Sequence, residues 1–133
     1  MIEWTEEKLK AEGYEIKNAI IQHIDISTAD HCCATLKMTL EGNGWGVCYG
    51  GYNLGRAGTC IKREEIESSG KCFESILQIM WTLGADSLVN LKGKYCRVAT
   101  KGWGSKVNII GNLINDKWFD YGSFFEKEGE KND

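Results

Sequence analysis

The side chains with the clearest capacity for chemistry are four cations, Arg56, Arg63, Arg97 and Lys117, set among ring-bearing residues. Guanidinium groups fork onto phosphate oxygens. Trp45, Tyr52 and Trp118 offer flat faces on which a base can stack, and Asn108 and Asn112 carry donors and acceptors suited to ribose or base edges. Together these residues suit the holding of a ligand. The alternative for each is structural: Arg97 alternates with Cys96 and Val98 and can point to solvent from a strand, and Trp118 with Phe119 can plug a core.

Groups that transform a ligand are poorly signalled. The chain has two histidines, His23 and His31, neither within a known nucleophile motif. Asp30-His31-Cys32-Cys33 matches no common zinc spacing, so neither metal nor cofactor is expected. Gly42-x-Gly44-x-Gly46 lacks the following helix that a dinucleotide fingerprint requires.

The elements that must position these groups can be read from periodicity. The 133 residues, 42% apolar and 26% charged, suit one globular domain over 1–125 with a charged tail at 126–133, expected to be disordered. Thr5 can cap a short helix that ends near Gly13. Tyr14 to Ile26 and Cys32 to Leu40 alternate as strands, with a turn expected at Ser27–Asp30. Fourteen residues from Gly42 to Gly55 hold six glycines and three aromatics. Gly42-Asn43-Gly44 has hairpin-turn chemistry, Trp45 to Tyr49 extends a third strand, and Gly50-Gly51 should bulge it. Gly55 to Glu67 shows no period and is expected to be a loop. The one long helix is expected after Ser68 or Ser69, with Phe73, Ile76, Leu77, Met80 and Leu83 as its core stripe and Gly84 closing it. Residues 95–100 and 106–113 read as paired strands. The expected fold is α+β: an antiparallel, strongly twisted sheet packed on one long helix, with short extra helices.

The net charge of −3 argues against binding to a DNA or RNA polymer. No apolar run approaches the roughly 20 residues of a membrane span. The start Met1-Ile2-Glu3-Trp4 lacks the apolar region of a secretory leader. The six cysteines contain no CxxC and are expected to be reduced thiols in a cytosolic protein.

The order of several short motifs carries a resemblance. Gly50-Gly51-Tyr52-x-Leu54 is followed by the Phe73–Leu83 helix with Gly84. Leu91-Lys92-Gly93-Lys94-Tyr95-Cys96-Arg97-Val98 and then Ile110-Gly111-Asn112-Leu113-Ile114-Asn115-Asp116-Lys117-Trp118-Phe119 complete the series. Over residues 14–125 this resembles the phage Thoeris anti-defence protein 1 family. The resemblance implies a sponge in the host bacterial cytoplasm, not an enzyme, that sequesters a cyclic ADP-ribose isomer made by Thoeris TIR proteins. It implies a homo-oligomer, dimer or hexamer, and possible separate sites for cyclic oligonucleotides. Carried onto this sequence, it makes Arg63, Arg97 and Lys117 candidates for the pyrophosphate, with Asn112 in the same C-terminal block. Leu88 stands where the family pattern has an aromatic, so Trp45, Tyr52, Trp103 or Trp118 would supply the stacking face. Two other readings compete: an enzyme cleaving a cyclic nucleotide signal through His23 or His31 with a carboxylate, and a phage structural or protein-interaction domain.

Overall fold

The computed structural model describes residues 2–102 and 107–125. The expected tail at 126–133, Trp103 and the start of the expected strand at 106 lie outside the described residues. Helix α1 (Glu6–Ala11) begins as its sequence directs, with the Thr5 hydroxyl accepting the Lys8 N–H at 3.1 Å. Strands β1 (Glu15–Asp30), β2 (Cys33–Glu41) and β3 (Gly46–Gly50) follow. After them come β4 (Gly55–Arg56), β5 (Glu67–Ser68), helix α2 (Cys72–Leu83), β6 (Tyr95–Thr100), β7 (Ile109–Gly111) and β8 (Trp118–Asp120). Residues 121–125 form a last helical turn, α3.

The expected α+β layering is overturned. Among the described residues the fold is mostly β, a curled antiparallel half-barrel that is only 25% helical, with three short α-helices. Strand β1 is the cause. It is 16 residues long, pairing with β6 over Glu15–Ile20 and with β2 from Ile20 to Asp30. A sheet hung on the two halves of one long strand curls about it. The order is β5-β4-β2-β1-β6-β7-β8, with β3 also on β2. An isolated parallel bridge from Tyr49 to Val107 draws the end of β3 towards β7 and tightens the curl.

The interior is filled largely by the sheet's own side chains and an aromatic plug. Tyr49, Phe119 and Tyr121 are at most 1% exposed and stack within 5.4–5.6 Å of one another through Tyr121. Burial pushes the Tyr49 and Tyr121 phenols above their ordinary range. Their hydroxyls are nonetheless partnered: Tyr49 donates to the Phe119 carbonyl at 3.1 Å, and the Tyr121 hydroxyl meets the Ser75 hydroxyl at 3.0 Å.

Helix α2 falls where the sequence placed its helix, but it is short, 12 residues, and turned. Of the expected core stripe, Leu83 is buried, and Ile76 and Met80 are partly buried. Phe73 and Leu77 face outward at 69% and 47% exposure. The face against the sheet carries Ser75, Ile79 and Thr82 instead. Small side chains there let the helix lie close to Tyr121, with both hydroxyls bonded to the preceding turn of the helix. Gly84 closes the helix in the left-handed conformation, φ 73°.

The expected turn at Ser27–Asp30 is also displaced. β1 runs through those residues, and the chain reverses at His31 and Cys32, both with positive φ (54° and 57°). In the glycine-rich stretch, Trp45 folds back over Gly42, leaving no room for a Cβ there. Gly50 (φ 100°) and Gly51 (φ 88°) make the break, with Gly51 donating to the Leu36 carbonyl at 2.8 Å. The segment expected to be a loop carries the short strands β4 and β5, paired with each other. No helix among the described residues is long and apolar enough to cross a membrane.

Candidate functional site

One cleft of about 590 Å³ carries two of the sequence's candidates, Lys117 and Trp118, on its lining. It lies between the N-terminal segment, the outer face of α2 and the loop from β7 to β8. Trp4, Leu77, Trp81, Lys117 and Trp118 line it. Its size falls within the usual range for small-molecule sites, about 300–1,000 Å³.

Its walls are tied together by long-range polar contacts. Trp4 donates its indole N–H to Asp120 Oδ2 at 3.0 Å and meets Tyr14 edge to face. The Asp116 carboxylate accepts the Glu6 backbone N–H at 2.7 Å and the Trp118 indole N–H at 2.6 Å. Asn112 builds the loop that carries Lys117. Its Oδ1 accepts the backbone N–H groups of Ile114 and Asn115, and its Nδ2 donates to the Thr82 carbonyl at 3.1 Å. Gly111 lies beneath the Trp118 ring, where a Cβ would collide.

Arg97 sits behind this wall. Its Nε donates to the Asn112 carbonyl at 2.8 Å, its Nη2 to the Asn115 carbonyl at 3.0 Å and its Nη1 to Glu6 Oε1 at 2.9 Å. Its guanidinium carbon stands 4.6 Å from the centre of the Trp118 ring. The side chain is 12% exposed. Lys10 and Arg97, both bonded to the Glu6 carboxylate, hold it below the ordinary carboxylate range.

The cleft's own charge is mixed. Lys117 Nζ donates to the Trp81 carbonyl at 3.0 Å and stands 4.5 Å from the centre of the Trp81 ring. Glu3, Glu74 and Asp116 are carboxylates on the same lining. The ring of Trp81 is the large open surface, at 62% exposure.

Of the eight ligand-binding residues expected from sequence, Lys117 and Trp118 line the cleft, and Arg97 and Asn112 support its wall. Four lie elsewhere. Arg63 is exposed in a single helical turn, Arg63–Glu65, between β4 and β5. Trp45 is half-buried at the β2–β3 hairpin, with Lys17 Nζ 5.6 Å from its ring. Tyr52 packs on Tyr121 and Phe125 and donates to Asn108 Oδ1 at 2.6 Å. Leu88 is half-buried against the main core. Of the other candidates, Arg56 pairs with Cys33 across β4 and β2.

Trp4 and Trp81 are the cleft residues that the sequence reading passed over. A signal for Trp81 was present: it continues Phe73 and Leu77 at four-residue steps, a second apolar line that one core cannot absorb together with the first. Neither histidine lines the cleft; His31 stands at the β1–β2 turn, 3.6 Å from Asp30. Among the described residues no three His, Cys, Asp or Glu side chains converge as metal ligands do. The arrangement can stack a planar ring and set one cation beside it. Comparison with known protein families, with curated proteins and with solved structures finds no match.

Proposed function

We propose that this chain binds a cyclic ADP-ribose isomer in the Trp4–Trp81–Trp118 cleft and holds it without turnover, as a phage sponge acting in the host cytoplasm. The observation that carries the reading is a cleft walled by three tryptophans, with Lys117 at the open ring of Trp81 and no histidine or cysteine in its lining. A base on Trp81 would gain about 1–3 kcal/mol from stacking. Lys117 supplies the local positive charge for a phosphate, and the order of motifs from Gly50 to Phe119 supplies the ligand class.

To test it, the protein is incubated with a cyclic ADP-ribose isomer, separated from free ligand and heat-denatured, and the released material is weighed by mass spectrometry. Intact ligand from the wild type is the expected result. Trp81→Ala should weaken binding roughly 5- to 150-fold, the equivalent of that stacking energy. Trp81 is exposed, so its loss opens no core cavity. A linear or smaller product would establish turnover, and no retained ligand would dismiss the sponge.

A second feature favours association with protein. Phe73, Leu77 and Trp81 make an apolar line along α2, exposed at 69%, 47% and 62%. We assign it to contact between copies of this chain, in keeping with the homo-oligomer that the resemblance implies. Phe73 does not line the cleft, so Phe73→Glu disrupts the contact between copies and leaves each copy's cleft lining unchanged. It should reduce the mass seen by light scattering and leave a single copy's ring-stacking surface in place.

A further inference from the structure

At the far end of β1, a second site is built around sulfur. Cys32 is 5% exposed and Cys60 is exposed, and the two form a disulfide with their Cα atoms 6.3 Å apart. That spacing is within the range disulfides occupy, about 4.4–6.8 Å. This departs from the expectation of six reduced thiols.

Three features besides the sulfur atoms bring the partners together. The hairpin reverses through two consecutive non-glycine residues in the left-handed region, His31 and Cys32, a conformation disfavoured for any residue with a Cβ. The loop after β4 is fastened to that tip by the Ala57 N–H, which donates to the Cys32 carbonyl at 3.1 Å. Gly58 then passes so close that a Cβ would stand 3.0 Å from Thr28 Oγ1 and 3.2 Å from Cys32 Sγ. A glycine at φ 124° is what allows the loop to lie on the thiol.

We propose that Cys32 and Cys60 are a reversible thiol–disulfide site that straps the loop from Ala57 to Lys62 onto the tip of the β1–β2 hairpin. An open groove of about 670 Å³, lined by Ser27, Thr28, His31 and Thr59 along with both cysteines, admits a small thiol or disulfide. The oxidant is a low-molecular-weight disulfide of the glutathione type. The exposed Cys60 thiolate attacks one of its sulfur atoms, forming a mixed disulfide and releasing one thiol. The Cys32 thiolate then attacks the Cys60 sulfur and releases the second. Two protein thiols are oxidised, one small disulfide is reduced to two thiols, and the reverse sequence opens the strap.

Cys96 and Cys33 are placed to stay out of the strap, and the exposed Cys48 lies in β3, away from the groove. Cys96 is buried, which pushes its thiol up to about 12. Cys33 is the next residue to Cys32, but it lies in β2, paired with Arg56, and its Sγ is directed to the His31 carbonyl at 3.8 Å. Without the disulfide the loop would still have the Ala57 bond to the tip, and the turn that carries Arg63 follows directly. The strap therefore governs the order of residues 57–66, independently of whether the cleft binds a nucleotide.

The protein is equilibrated with oxidised or with reduced glutathione, quenched in acid and alkylated, and its peptides are mapped without reduction. Oxidised wild type and Cys33→Ser should each lose alkylation at Cys32 and Cys60 and give a peptide pair joined through those two residues, whatever glutathione caps at the exposed Cys48. Cys60→Ser, which removes an exposed atom and no core packing, should give no linked pair and keep Cys32 alkylatable. Amide exchange over residues 57–66 should be roughly tenfold faster in reduced wild type and in Cys60→Ser than in oxidised wild type. A linkage from Cys60 to Cys33, free alkylation of Cys60 after oxidation, or equal exchange in both redox forms would each overturn the proposal.

Discussion

Arg97 separates a structural reading from a ligand-binding one most sharply, and Arg97→Ala is the perturbation that decides. The side chain is 12% exposed and spans the loop from β7 to β8. Two of its bonds go to the Asn112 and Asn115 carbonyls, and the third to Glu6, which lies 91 residues away in α1. Hydrogen bonds from a charged donor contribute about 1.5–3 kcal/mol each. Taking the low end for the two carbonyl bonds, and nothing for the solvated Glu6 contact, the loss is about 3 kcal/mol. For a chain of this size that corresponds to a fall in Tm of roughly 9–15 °C. The assay is paired thermal and urea unfolding of wild type, Arg97→Ala and Arg97→Lys. Lysine keeps the charge but cannot fork, so it should recover only part of the loss. An Arg97→Ala protein that melts within about 3 °C of wild type would refute the clamp. If that protein had also lost ligand affinity, Arg97 would return to the pyrophosphate role that its place in the sequence suggested.

Two further outcomes follow from the same geometry. Gly50→Ala should destabilise by about 2–5 kcal/mol, the sum of a left-handed backbone cost and a forced shift of neighbours. At φ 100° its Cβ would strike the Leu36 carbonyl oxygen, and a lower urea midpoint with an unchanged slope checks it. The Glu6 carboxylate, bonded to Lys10 and Arg97, is depressed below its ordinary 4.5 in the folded state. Its stabilising contribution is therefore full above that value and is lost as pH falls through the folded-state value. Wild type should lose stability below pH 4.5 in part through this group, and Glu6→Gln should lack that increment in a pH series of melts.

Local signals were legible where one residue type has one physical outlet. Thr5 caps α1, Gly84 closes α2, and the alternation from Ala34 to Leu40 is that of β2, with Leu36, Met38 and Leu40 all fully buried. The face of α2 was not legible in the same way. The helix has two apolar lines, and which one enters the core depends on Tyr121, some forty residues later, needing the Ser75 hydroxyl and a close approach. The half-barrel was hidden for a related reason. Alternation identifies β1 as a strand, but its two partners divide it near Ile20, and pairing register is a property of three strands at once. The candidate site shows the same limit. Lys117 and Trp118 could be named from their own block. Trp4 reaches the cleft only because its indole is bonded to Asp120, and the fate of Arg97 was set by Glu6 and two loop carbonyls.

The electrostatics of the cleft now bear on how a phosphorylated ligand would lie in it. With Arg97 committed to the loop and Arg63 on another element, Lys117 is, among the described residues, the cation on the cleft lining, which it shares with Glu3, Glu74 and Asp116. The Asp116 carboxylate is engaged by two N–H bonds, from the Glu6 backbone and the Trp118 indole. Glu3 and Glu74 stand at the N-terminal segment and at the first turn of α2, so an anion is repelled from that end and drawn toward Lys117. On the proposed function, the base would lie on the Trp81 ring and the pyrophosphate on the Lys117 side, away from Glu3 and Glu74. A pyrophosphate held by one lysine leaves most of its charge exposed. That is the physical reason a second copy of the chain, seated on the Phe73–Leu77–Trp81 line beside the cleft, would matter to affinity as well as to assembly.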